Sequence, residues 1–328
     1  MRAAMACAVT GDDVGGADPM TAAFQQTIAE LTGKEAALFV PSGTQSNQLA
    51  LLAHVSQTGL PTSIVCDARA HVLCHETGGL SFHARATPLA LVPRNGHHLT
   101  LEDVAARAVL EVDQHYATTR VVSLENTIEG LVHPQDEIVR IGDWAHGNGL
   151  AMHLDGARLW NVAAALRTPL DELCAPFDTV SLCLSKGLGA PVGSVLVGPR
   201  ALMDRVFLFR KLFGGGMRQS GVLAAAAHTA LHDTFPKLRG THAMAQRVAA
   251  GLAVRGIRTS VPTETNMVWW DPSSAGLDAD ALVRRAAQQT PAMAISPSRL
   301  VFHHQLDERV VDALLGLVGG DGGEAGDA

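Results

Sequence analysis

The sequence predicts an α/β fold: a large domain on a mainly parallel seven-stranded sheet covered by helices, followed by a smaller C-terminal α+β domain. Three observations predict it. Short apolar runs alternate with segments of helical periodicity from residue 19 to about residue 237. Seven of those runs have strand length, and the best defined end at once on a turn or a charged residue. Beyond residue 237 the alternation gives way to three helices separated by short strands. The expected boundaries are residues 1–237 for the large domain, 238–318 for the small one and 319–328 for a disordered tail, which has no apolar side chain larger than alanine.

The first expected helix spans 19–33, entered at Pro19 and left at Gly33. Ala36 to Val40 is a short apolar run that ends in Pro41-Ser-Gly-Thr44. Residues 44–55 then have helical periodicity, with apolar Leu49, Leu52 and Ala53. The remaining large-domain strands are expected at 62–66, 89–92, 120–124, 150–154, 179–184 and 193–197. Helices are expected at 100–115, 134–148, 200–212 and 217–233. In the small domain the pattern gives helices at 239–255, 278–289 and 307–317, with strands at 266–270 and 299–303.

Composition narrows the function classes. A chain of 328 residues with 47% hydrophobic and 17% charged residues can bury a large core and reads as a compact enzyme. The net charge of -7, with no basic run, argues against a nucleic-acid partner. Every apolar run is too short to cross a membrane, and the opening Met1-Arg-Ala-Ala-Met-Ala-Cys-Ala is too short for a signal peptide. Five scattered cysteines without a C-x-x-C spacing suggest free thiols in a reducing compartment, so a soluble, cytoplasmic protein is expected.

Chemistry concentrates at three strand ends. Ser42-Gly43-Thr44 lies between a strand and a helix, where backbone N–H groups can face an anion. Met152-His-Leu-Asp-Gly-Ala-Arg158 ends an apolar run on Asp155, and Ser181-Leu-Cys-Leu-Ser-Lys-Gly-Leu-Gly189 carries another run into Lys186 and a glycine-rich turn. Taken singly, these are an ordinary helix cap, a capping aspartate and a solvated lysine. Their joint order points to pyridoxal 5′-phosphate: the lysine forms a Schiff base, and the aspartate keeps the pyridine nitrogen protonated so that the ring accepts electrons. His71 and His75 have a helical i, i+4 spacing, but no H-E-x-x-H pattern or third ligand accompanies them. No metal site is expected, and His71 reads better as a ring over a cofactor or as a general base.

With these residues in view, the chain resembles the L-threonine aldolases of the pyridoxal-phosphate fold-type I (aspartate aminotransferase-like) superfamily, most closely their fungal, eukaryotic branch. The resemblance rests on Gly11-Asp-Asp-Val14, Gly33-Lys-Glu-Ala-Ala-Leu-Phe-Val-Pro-Ser-Gly-Thr44, His71 with Glu76-Thr-Gly-Gly79, and Leu124-Glu-Asn-Thr127. It continues through His153-Leu-Asp-Gly-Ala-Arg158, Ser185-Lys-Gly-Leu-Gly189, Lys211-Leu-Phe-Gly-Gly-Gly-Met-Arg-Gln219, Thr265-Asn266 and Arg299-Leu-Val-Phe-His303. It implies cleavage of L-threonine or L-allo-threonine to glycine and acetaldehyde. Lys186 would carry the cofactor, Asp155 would pair with the pyridine nitrogen and His71 would stack over the ring. Ser42, Gly43 and Thr44 would cradle the phosphate, which Arg218 would reach from a neighbouring subunit of a homotetramer built as a dimer of dimers. Arg158 and Arg299 would clamp the substrate carboxylate. His71, and after it Glu76, is the expected base for the substrate hydroxyl.

Three departures from the family pattern bear on activity. The pattern opens with a strand bearing Ser-Asp-Thr, whose serine helps to hold the substrate carboxylate, and this sequence starts past that point. Ile128 stands where many bacterial members have a histidine that contacts the substrate hydroxyl, which implies looser control at Cβ. Gly15 replaces a common tyrosine. The rival expectations are another pyridoxal-phosphate lyase acting on β-substituted amino acids, and an impaired subunit that keeps only the fold.

Overall fold

The computed structural model describes residues 1–56, 58–59 and 61–319. The tail expected at 319–328 therefore lies, apart from Gly319, outside the described residues. The chain divides into two compact units, one of Met1–Ile128 with Val132–Phe235 and one of Glu129–Leu131 with the residues from Pro236 onward.

The first unit is built on seven strands: β1 Ala36–Val40, β2 Thr62–Asp67, β3 Thr87–Leu91, β4 Thr118–Glu125, β5 Ala151–Asp155, β6 Thr179–Cys183 and β7 Ser194–Gly198. Their order is β1-β7-β6-β5-β4-β2-β3. Every pair from β3 to β6 is parallel, and β7 runs antiparallel to both of its neighbours. β2, β6 and β7 are buried along their whole length, which is why they read as continuous apolar runs rather than as alternating ones. The parallel register sets Glu125 opposite Asp155 and Asp155 opposite Ser181. Glu125 and Asp155 thus line up at the carboxyl ends of β4 and β5, with Ser181 of β6 alongside, on the edge where ligands bind in open α/β sheets.

The helix Gly43–Val55 lies against this sheet and is buried on two flanks. Leu49, Ala50 and Ala53 pack with Ala36, Leu38, Val40 and Leu196. Leu51 and Val55 pack with Ile64, Cys66 and Val121. A second tie is ionic. Arg210, 1% exposed near the end of the helix Arg200–Leu212, donates from Nη1 to Asp13 Oδ2 at 2.9 Å and to the Phe39 carbonyl at 2.8 Å.

The second unit carries a three-stranded antiparallel sheet of β8 Arg258–Thr259, β9 Met267–Asp271 and β10 Arg299–Val301, in the order β10-β9-β8. Helices Leu238–Val254, Ala279–Ala287 and Arg309–Gly319 share a core of Val248, Leu252, Val268, Trp270, Leu282, Leu300, Phe302, Val311 and Leu314. The excursion Glu129–Leu131 joins this unit because Trp269 Nε1 donates to the Glu129 carbonyl at 2.7 Å and Thr265 Oγ1 to the Gly130 carbonyl at 2.8 Å. No local pattern in the sequence announces it.

One expected element is much shorter than predicted. The helix of 100–115 covers only Leu101–Ala105. The backbone of Val109 instead pairs with Thr119 at the start of β4, accepting from its N–H at 2.8 Å and donating to its Oγ1 at 2.9 Å. A helix was expected after the turn at Asp155 without bounds; it spans Leu159–Leu166, where six consecutive buried residues from Leu159 to Ala164 leave no amphipathic stripe to mark its limits.

Arg210→Met strands the Asp13 carboxylate in the core. Urea denaturation is expected to show a loss of about 3–5 kcal/mol, largely regained in the Asp13→Leu/Arg210→Met double variant. A single variant as stable as the native chain would show that the pair does not brace the fold.

Candidate active site

The site starts where β1 turns into the helix Gly43–Val55. Ser42 Oγ accepts the Gln45 N–H at 3.1 Å and caps that helix. A side chain at Gly43 would come within 2.6 Å of Cys183 Sγ, so only glycine lets the helix start approach the end of β6 so closely. The leading N–H groups of a 13-residue helix are left without helical partners there, and they suit a phosphate dianion.

One turn into the helix, Asn47 is 1% exposed and fully engaged. Its Nδ2 donates to Asp155 Oδ2 at 2.7 Å and to Glu76 Oε1 at 2.9 Å, and its Oδ1 faces His153 Nε2 at 3.2 Å. Glu76 Oε1 also meets His71 Nδ1 at 2.9 Å, and Asp155 Oδ1 accepts the Ala157 N–H at 3.0 Å. His71, Glu76 and Asp155 place polar atoms within 4.8 Å of one another, the one such group of potential metal ligands among the described residues. Its two carboxylates are buried, at 4% and 3% exposure, while His71 is half-buried.

Glu125, at the end of β4, closes the other side. Its Oε2 accepts the His71 backbone N–H at 2.7 Å. Burial and, after it, the negative charge of Asp155 push its carboxyl up to about 8, against the pull of the His71 N–H, Lys186 and Arg158. Glu125 thereby reports that Lys186 and Arg158 share its surroundings. Lys186 is exposed in the turn after β6, which Gly189 closes by donating its N–H to the Lys186 carbonyl at 2.9 Å. Arg158 is the residue from which the helix Leu159–Leu166 starts.

Two further candidates are Arg218 and Arg299. Arg218 is exposed and donates to Asp12 Oδ2 at 2.5 Å. Arg299 opens β10 in the second unit, where its guanidinium sits 5.4 Å from the centre of the Trp269 ring. Ile128 is 4% exposed, and a side chain at Gly15 would meet nothing within 4 Å. Sequence reasoning passed over Asn47, Glu125 and His153 as functional residues. The signal for Asn47 is a polar residue on a helix face otherwise filled by Ser46, Leu49 and Ala50, all buried.

The donor set fits pyridoxal phosphate. A helix N-terminus pinched against glycine suits its phosphate, an ionisable carboxylate at a strand end suits its ring nitrogen, and a lysine stands beyond the neighbouring strand. The raised Glu125 carboxyl has a consequence for the cofactor-free protein. The folded group holds its proton up to about pH 8, whereas the unfolded one releases it near 4.5. The stabilising contribution is complete below the lower value and is lost as pH rises through the upper one. Thermal midpoints are expected to fall across that window and to lose that slope in Glu125→Gln; an unchanged slope would remove Glu125 as the cause.

The sequence profile of the beta-eliminating lyase family matches residues 1–273. An aldolase of Penicillium aethiopicum, vrtJ, is 43% identical over 97% of this chain and 81% of its own length. The low-specificity L-threonine aldolase of Saccharomyces cerevisiae is 42% identical over 93% of this chain and 78% of its own. A third relative, the alanine racemase TOXG of Cochliobolus carbonum, is 37% identical over 96% and 82%. Among solved structures, the threonine aldolase of Leishmania major superposes with a TM-score of 0.77 at 20% identity, over 93% of this chain and 90% of that one. The chain thus belongs to the beta-eliminating lyase family and, within it, to the low-specificity L-threonine aldolases, pyridoxal-phosphate-dependent carbon–carbon lyases.

Proposed function

We propose that this chain cleaves L-threonine and L-allo-threonine to glycine and acetaldehyde. The observation that carries the reading is the convergence of His71, Glu76 and Asp155 within 4.8 Å at the sheet's carboxyl edge. Bound pyridoxal phosphate supplies a protonated pyridine ring that takes up the electron pair of the breaking Cα–Cβ bond. The chain's own residues do the rest. Lys186 would hold the cofactor through its side-chain amine. Asp155 keeps the ring nitrogen protonated, and its two hydrogen bonds, from Asn47 and Ala157, hold it as an acceptor. Ser42, Gly43 and Thr44 would hold the phosphate, and Arg158 would hold the substrate carboxylate.

His71 would cover the ring and accept the proton of the substrate's β-hydroxyl. Its Nδ1 bond to Glu76 orients the imidazole and leaves Nε2 as the proton-accepting atom, with Glu76 as the second group in line.

We infer in addition a homotetramer in which Arg218 reaches the phosphate of an adjoining subunit. Phe82 and Leu212, 78% and 71% exposed, border a groove of about 830 Å³ on the first unit, which is the kind of apolar surface that assembly covers. A cytoplasmic site of action agrees with the five unpaired cysteines, and glycine formation is the matching metabolic role. No helix among the described residues is long and apolar enough to cross a membrane.

The racemase relative supports one second reading, in which the same residues remove and return a Cα proton without cleaving Cα–Cβ. Product analysis decides between them. With L-allo-threonine, glycine and acetaldehyde are expected in equal amounts, and L-alanine should not racemise. Ammonia with a keto acid would indicate β-elimination instead. Lys186→Ala is expected to abolish the visible cofactor band and lower turnover by about 10³-fold or more. His71→Phe should keep cofactor binding but slow turnover by about 10²–10⁴-fold. Full turnover without Lys186 would overturn the reading.

A further inference from the structure

Behind the site a polar seam continues past Asp155 to residues that the proposed reaction does not use. Asn47 and His54 lie seven residues apart, two turns, on one face of the helix Gly43–Val55. Opposite them, His153 and Asp155 share a face of β5, and Thr179 pairs with His153 from β6. His54 Nε2 meets Thr179 Oγ1 at 2.9 Å, and Thr179 Oγ1 meets His153 Nδ1 at 2.9 Å. His153 Nε2 then meets Asn47 Oδ1 at 3.2 Å, and Asn47 Nδ2 meets both Asp155 and Glu76. His153 and Asn47 are 0% and 1% exposed.

With Asp155 and Glu76 as acceptors, one proton order satisfies every link. Ionised carboxylates accept and do not donate, so Asn47 must turn its amide nitrogen toward Asp155 and Glu76, and both of its hydrogens are used. Its oxygen then faces His153, which must carry its proton on Nε2. His153 Nδ1 is left as an acceptor for the Thr179 hydroxyl hydrogen, and the hydroxyl oxygen in turn accepts from His54 Nε2–H. Flipping Asn47 would set its oxygen against two carboxylates. Charging His153 would remove the acceptor at Nδ1, and burial pushes that ring down to about 3 and His54 to about 4. Asp178 and Arg205 are the charged groups that act on His54, in opposite directions.

Building on the functional reading above, we propose that Asn47 and His153 are positioning residues for Asp155, the proton-ordered seam delivering an amide N–H to Asp155 Oδ2 and so fixing that carboxylate as the acceptor for the cofactor's pyridine nitrogen. The seam acts through Asp155 and touches no reacting atom. It also couples Asp155 to Glu76 and, through Glu76, to His71, since one amide group serves both acids.

The test begins with the cofactor-free full chain, labelled with ¹⁵N-histidine. Nitrogen NMR is expected to show His153 as the neutral Nε2–H tautomer throughout pH 5.5 to 8.5. An Nδ1–H tautomer, or a ring that titrates in that range, would overturn the proposal. Pyridoxal phosphate affinity is the second readout. Asn47→Leu and His153→Phe are expected to weaken it about 10- to 100-fold, the loss of a hydrogen bond to a charged group. His153→Gln, which keeps an N–H toward Asn47, should restore it to within about threefold. Native affinity in both Asn47→Leu and His153→Phe would overturn the positioning role, and if His153→Phe fails to fold, the tautomer and Asn47→Leu still decide. A native chain that takes up no pyridoxal phosphate would defeat the functional reading instead, a result distinct from either tautomer outcome.

Discussion

Everything at this site depends on keeping two carboxylates, Asp155 and Glu76, side by side and out of water. Buried like charges repel, and each lost its hydration when the chain folded. Hydrogen-bond donors offset this. Asn47 gives one N–H to each acid, Ala157 gives its backbone N–H to Asp155, and His71 gives its ring N–H to Glu76. Such an arrangement favours a ligand that brings positive charge to Asp155, which a protonated pyridine ring does.

The fold makes this constellation nearly unavoidable. A parallel register aligns the ends of β4, β5 and β6, so Glu125, Asp155 and the turn bearing Lys186 emerge on one edge. The helix Gly43–Val55 crosses behind them with one flank packed on each of two apolar clusters. That packing leaves its polar line of Asn47 and His54 no place but the sheet face. Glycine at position 43 lets the same helix start close to the end of β6, so one element provides both an anion-binding terminus and the hydrogen bonds to Asp155.

Much of this was legible in the sequence. The seven strand-length runs correspond to the seven strands, because all but the edge strand β3 are buried along most of their length and so carry mostly apolar residues. Asp155 and Lys186 stood out because charged residues directly after such runs are conspicuous. His71 was expected over the cofactor ring or as a base, and Glu76 as the second base, but that the two meet is decided by the fold of the segment between them. Asn47 was hidden for a different reason: a buried polar residue inside a helix looks like a tolerated exception until its partners, 29 and 108 residues away, are in view. Glu125 was quoted within a recognisable run, yet its role follows from the neighbours β5 and the His71 turn bring to it. The helix expected at 100–115 failed because its periodicity competes with backbone pairing between Val109 and Thr119, which no local window contains.

A crystal structure of the chain with pyridoxal phosphate tests the central claim most directly. The account predicts the cofactor's ring nitrogen within hydrogen-bonding distance of Asp155, with Asn47 still bonded to Asp155, and Lys186 covalently joined to the cofactor aldehyde carbon. A cofactor seated with its ring nitrogen away from Asp155, or an Asn47 amide turned from the two acids, would contradict it.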